Sequence, residues 1–96
     1  METMTDHTAI TATVTGRVQG VGFRYAVAHT AKELGLVGWV RNAPDGSVEM
    51  RAQGDERVLE QLVAFLRRGP RSARVRSVDV HPVEPDLTLH GFAIRS

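Results

Sequence analysis

The stretch of this chain best suited to chemistry is Gly16-Arg17-Val18-Gln19-Gly20-Val21-Gly22-Phe23-Arg24, in which three glycines join a strand-like run to a helix-like run and end on an arginine. Glycine takes positive φ without steric cost, so successive N–H groups can turn toward one point. A helix starting behind them adds its own unpaired amides and the positive end of its dipole. Arg24 then falls in the first helical turn with five donors in a fixed fork. The chemistry implied is the cradling of an anion by the loop and Arg24. The nucleotide loop of the Walker type is a poor match, because Gly-Lys-Ser/Thr is missing and no third glycine follows Phe23-Arg24-Tyr25.

Other candidates are weaker. Asn42, just before Pro44-Asp45-Gly46, reads by itself as a turn residue, and only its pairing with the glycine loop gives it a chemical role. Arg41 alternates to the opposite sheet face and reads as solvated; Arg17 adds general positive field. Trp39 is assigned to packing rather than to a wall of the site. Asp45 and Glu49 are explained by the turn and by a solvated strand face. His7, His29, His81 and His90 lack ligand spacing, so no metal site is assigned. Arg67, Arg68, Arg71, Arg74 and Arg76 form a basic cluster read as a solvated face complementing a helix C-terminus.

The elements that must position these residues follow from periodicity. Ile10, Ala12, Val14 and Val18 alternate with polar neighbours, as on a strand with one buried face. Phe23, Ala26, Val27, Ala31 and Leu34 recur at helical spacing and stop at Gly35. Leu36 to Asn42, the Pro44-Asp45-Gly46 turn and the alternating Val48, Met50 and Ala52 predict a β-hairpin. Asp55 is placed as N-cap of a helix whose stripe is Val58, Leu59, Leu62, Phe65 and Leu66, ended by Gly69-Pro70. Val78 and Val80, led in by Val75, predict a fourth strand; Phe92 and Ile94 predict a short last one after an irregular stretch from Pro82 to His90. This order predicts an α+β, ferredoxin-like βαββαβ sandwich, an antiparallel sheet with two helices packed on one face. The loop after the first strand is then expected at an edge of the sheet, facing the end of the second strand, which brings Arg24 and Asn42 together.

Bulk properties bound the answer. Ninety-six residues make one domain, expected over residues 8–96, with residues 1–7 as a flexible tail. An apolar fraction of 42% and a charged fraction of 24% fit a soluble globular chain. Twelve Lys+Arg against eleven Asp+Glu give a net charge of +1, too little basic excess for a nucleic-acid partner. Absence of cysteine fits a reducing compartment, and no apolar run reaches the roughly 18 residues of a membrane span, so a cytoplasmic location is expected.

The glycine loop, together with Gly38-Trp39-Val40-Arg41-Asn42-Ala43-Pro44-Asp45-Gly46-Ser47-Val48-Glu49 and the looser Gly69-Pro70-Arg71-Ser72-Ala73-Arg74-Val75, resembles the signatures of the acylphosphatase family, in the expected order. The resemblance implies that Arg24 binds a substrate phosphate with the backbone amides of Val18, Gln19, Gly20, Val21, Gly22 and Phe23. It implies that Asn42 positions the attacking water and that the substrate's own phosphate oxygen takes the water's proton. Small acyl phosphates are the implied substrates, and inorganic phosphate is the product and competitive inhibitor. No cofactor or metal and no membrane partner are implied, and the expected state is a monomer. Gly22 stands where bulkier residues are familiar in relatives, which implies a loop more mobile before phosphate binds.

Such a reaction suits these residues. The departing carboxylate is stable without a proton, so the needs are charge neutralisation on the phosphoryl oxygens and in-line placement of water. Two other classes share parts of the pattern. A non-catalytic module that binds phosphate or carbamoyl phosphate needs the loop but not Asn42 in working geometry. An RNA-binding domain shares the element order, but exposed Phe or Tyr on the central strands is missing. The loop recognises what acyl phosphates have in common, so the physiological acyl group is not legible.

Overall fold

The computed structural model describes residues 8–96, and the expected tail at residues 1–7 lies outside the described residues. The elements are β1 (Thr8–Arg17), α1 (Phe23–Glu33), β2 (Val37–Asn42), β3 (Val48–Gly54), α2 (Glu56–Arg68), β4 (Arg74–Val83) and β5 (Phe92–Arg95). They form a sheet in the order β4-β1-β3-β2-β5. β4, β1, β3 and β2 are antiparallel neighbours, with Ile10 opposite Ala52 and Val14 opposite both Val48 and Val78. The ferredoxin-like βαββαβ frame is thus present, and the short β5 extends it by pairing parallel with β2, Gly38 opposite Phe92.

Strand alternation puts Ile10, Ala12, Val14, Val40, Val48, Met50, Ala52 and Val78 on one sheet face, where they meet Phe23, Val27 and Ala31 of α1 and Leu59, Leu62 and Leu66 of α2. α1 lies over β2 and β5, α2 over β3 and β4. Burying a side chain such as Leu62 or Phe23 contributes roughly 1.5–3 kcal/mol, so this layer fixes how the helices sit on the sheet. Both helix ends are set locally. The Asp55 carboxylate accepts from Arg57 N at 2.8 Å at the start of α2, and Gly35, at φ 74, lets Leu36 N donate back to Ala31 O after α1.

Two expectations change. The loop after β1 is not at a side edge of the sheet: β1 is an inner strand, so the loop leaves from the end of the sheet. β4 runs on through Pro82 and Val83, residues expected to be irregular. β4 is an edge strand, and a proline without an N–H is tolerated where one side of the ladder has no partner. The chain then crosses from the β4 edge to the β5 edge. Buried Gln53 pins it, donating from Nε2 to Asp86 O (2.8 Å) and accepting from Asp86 N (3.0 Å).

Candidate active site

The loop is shaped by where β1 stops pairing. The register against β4 shifts between Thr15 and Gly16, a bulge that turns the chain out of the sheet. Gly16 has φ 127, and a Cβ there would run into the Arg74 carbonyl, so β4 can approach only a glycine. Gly20 and Gly22 follow at φ 74 and 79, in the left-handed region. Gly22 is the N-cap of α1 and offers no side chain to its first turn, which also holds no acidic residue. Among the described residues, the amides of residues 18–25 therefore find no backbone partner in a turn, loop or cap. Open amides and an uncompensated dipole point the same way.

Part of this loop borders a cavity of about 230 Å³ lined by Val18, Gly20, Gly22, Phe23, Arg24, Tyr25 and Asn42. Arg24, from the first turn of α1, and Asn42, from the last position of β2, thus share one cavity although β3 lies in the sheet between β2 and β1, the strand that leads to the loop. Asn42 Oδ1 is buried and has no hydrogen-bond partner. A buried acceptor left unmatched costs about 1–3 kcal/mol, and the residue that carries this one lines the cavity. Arg24 Nη1 donates to the Arg95 carbonyl at 2.9 Å, which leaves the rest of its five donors for the cavity. Gln19 and Val21 do not line the cavity. The Gln19 side chain turns away to the β2–β3 turn, and the Val21 carbonyl accepts from Ser72 Oγ at 2.7 Å.

Three braces thus hold the loop, and none of them is legible in residue types: Gln19 and Ser72 act through a side-chain amide and a hydroxyl, and Arg95 supplies a main-chain carbonyl. The motif around Ser72 was the available signal, as a hydroxyl beside Gly69-Pro70 sits in a turn that must pack on something.

The remaining candidates fall outside the cavity. Trp39 is half-buried on the face away from the helices, because Gly38 and Val40 take the inward positions. The guanidinium groups of Arg41 and Arg95 lie over its ring at 5.3 and 4.8 Å, and Arg41 also pairs with Glu49 at 2.8 Å. Trp39 therefore packs against arginines and not in the core. Asp45 accepts from Ser47 N (2.9 Å) and Oγ (2.6 Å), and the side-chain bond, then the backbone one, holds its carboxyl below the ordinary 3.8. That is turn chemistry. Arg67, Arg68, Arg71, Arg74 and Arg76 are all exposed. A larger groove of about 520 Å³ between α2 and β4 is lined mainly by apolar groups such as Ile10, Leu59, Val63 and Val80, and it lacks convergent donors. The smaller cavity is where the chemistry can occur.

Comparison with known proteins points to the same place. The family model described as Acylphosphatase matches residues 10–94. A protein named acylphosphatase from Koribacter versatilis is 52% identical over 81 residues, covering 84% of this chain and 74% of its own length. One of the same name from Salinibacter ruber is 45% identical over 95 residues, covering 99% of both. The crystal structure of acylphosphatase from Bacillus subtilis superposes with a TM-score of 0.88 at 37% identity, over 93% of this chain and 99% of that one.

Proposed function

We propose, from the premise that this chain belongs to the acylphosphatase family, that Arg24, Asn42 and the open loop amides carry out the family's reaction in the cavity they share. The activity is hydrolysis of the carboxyl–phosphate anhydride of small acyl phosphates to carboxylate and inorganic phosphate. The observation that carries the residue assignment is the meeting of Arg24, Asn42 and loop residues with unpaired amides around one cavity.

The amides of Val18, Gln19, Gly20, Val21, Gly22 and Phe23, together with Arg24, take the phosphoryl oxygens. Their positive ends are already oriented, so little reorganisation is needed as charge shifts in the transition state. The Arg95 carbonyl keeps the Arg24 fork aimed. Asn42 Oδ1 accepts a hydrogen from water and sets its oxygen in line with the breaking P–O bond. An amide is too weak a base to take the proton, which passes to a phosphoryl oxygen of the substrate. The new P–O bond forms as the carboxylate leaves with the electron pair of the old one, and no protein acid is required. This route assigns no step to a metal or an organic cofactor. Inorganic phosphate, which presents the same oxygens, binds as competitor. The domain over residues 8–96 acts as a cytoplasmic monomer.

The test is hydrolysis of benzoyl phosphate in EDTA by the parent, Arg24→Ala and Asn42→Ala, with inorganic phosphate as competitor. Arg24→Ala is expected to lose both turnover and phosphate affinity. Asn42→Ala is expected to lose a factor of roughly 10² to 10³ in turnover while phosphate still inhibits. Asn42→Ala at the parental rate would remove the water-positioning role. Phosphate binding by a parent without turnover would point to a binding module instead.

A further inference from the structure

We propose that the Gln19 side chain is a positioning residue that holds the water site at Asn42 in register with the phosphate loop. The inference rests on the roles assigned above to the loop and to Asn42. Gln19 sits in the middle of the loop, yet its side chain spans to another element, where Nε2 donates to the carbonyls of Ala43 and Ser47, each at 2.8 Å. Those carbonyls close the β2–β3 turn. Ala43 N donates to Ser47 O at 2.9 Å and Gly46 N to Ala43 O at 3.1 Å. Each oxygen therefore accepts one bond from the turn and one from Gln19. The reversed amide would set Oε1 against two carbonyl oxygens, so the donor orientation is fixed by chemistry.

The bracket grips the hairpin beside the residue that matters. Ala43 directly follows Asn42, and Ser47 precedes Val48, the partner of Asn42 across the ladder. Ala43, Ser47 and Val48 are all buried, so the rung moves as a unit with whatever holds it. Among the described residues, these two bonds are the hydrogen bonds that join loop residues 18–22 to this hairpin. The phosphate is held by one part of the fold and the water by another, and in-line attack needs both within a few tenths of an ångström. A misplacement of about 1 Å costs on the order of 10² in rate.

The experiment compares kcat on benzoyl phosphate, the inhibition constant of inorganic phosphate and thermal unfolding for Gln19→Ala, Gln19→Met, Asn42→Ala and the Gln19→Ala/Asn42→Ala double variant. Gln19→Met keeps about the same volume and removes the carboxamide with its donors. The expected result is a fall in kcat of about 10- to 100-fold for both Gln19 variants, with phosphate inhibition within about threefold of the parent. The double variant is expected to be no slower than Asn42→Ala, because Gln19 acts through Asn42. Parental kcat in the Gln19 variants beside a slow Asn42→Ala overturns the bracket and leaves the Asn42 role standing. Parental kcat in Asn42→Ala overturns both. Parallel loss of kcat, phosphate affinity and thermal stability, or a Gln19→Met protein that does not fold, assigns Gln19 a structural role and overturns the proposal. So does a double variant whose loss is the product of the single losses.

Discussion

Asn42 has little reactivity of its own, and its use comes from placement: a residue at the end of a strand, with a side-chain oxygen that has no partner, lining the cavity that Arg24 also lines. Gly22 contributes in the opposite way, by what it lacks. With φ 79 and open space around its missing Cβ, a substitution there meets no collision and changes only the backbone preference. Gly22→Ala should therefore destabilise the protein by about 1–2 kcal/mol if the loop keeps its shape, read as a lower urea midpoint. If the loop instead relaxes to negative φ, the amides turn and inhibition by phosphate weakens. Unchanged midpoint and unchanged inhibition together would show that the left-handed turn is not needed. At this scale the sequence revealed Arg24 and the glycines, whose types announce anion binding. It concealed Gln19, Ser72 and the Arg95 carbonyl, since a side-chain amide, a hydroxyl or a peptide oxygen declares no partner until two distant segments are brought together.

Elements were legible where one physical signal dominated. The stripe from Val58 to Leu66 and the Asp55 cap define α2 without reference to the rest of the chain, and the helix ends where expected, at Gly69. The β1–β3 and β2–β3 pairings follow from alternation and a strong turn. The parallel addition of β5 was not legible, because four residues carry too short a pattern to specify a partner. The extension of β4 through Pro82 depends on being at an edge, a property of the whole sheet and not of the segment. The separability of α2 gives a prediction. Asp55→Ala removes the bond to Arg57 N and should cost about 1 kcal/mol of stability. Because Asp55 lies outside the cavity, kcat on benzoyl phosphate should stay within about twofold of the parent under folding conditions. A large fall in kcat with intact folding would mean that the start of α2 communicates with the site.

Across the molecule, two exposed turns are each built on a carboxylate, one beside the site and one at the opposite end of the sheet, where Gln53 pairs with Ala9 and Val37. Asp45 organises the turn that Gln19 grips, through Ser47 N and Oγ. Asp86 organises the crossing that leads to β5 and the carbonyl holding Arg24, accepting from Thr88 Oγ1 (2.6 Å) and Thr88 N (3.0 Å). In each, the side-chain hydroxyl bond is the main cause that lowers the carboxyl below the ordinary 3.8, and the backbone N–H adds to it. A carboxyl with a lower folded than unfolded value leaves the unfolded chain binding more protons in that interval, so stability rises with pH across it. The contribution is complete above the ordinary value and is lost as pH falls through the folded values. Urea unfolding should thus show little dependence on these two groups between about pH 5 and 7 and a declining midpoint below about pH 4. In a Ser47→Ala/Thr88→Ala double variant the hydroxyl bonds are lost and the lowering is reduced to what the backbone N–H groups give, so the midpoint should fall less between pH 6 and pH 3 than in the parent. Equal acid losses in the two proteins would show that the turns contribute nothing to the pH dependence, and that the acid sensitivity of the fold resides in other carboxylates.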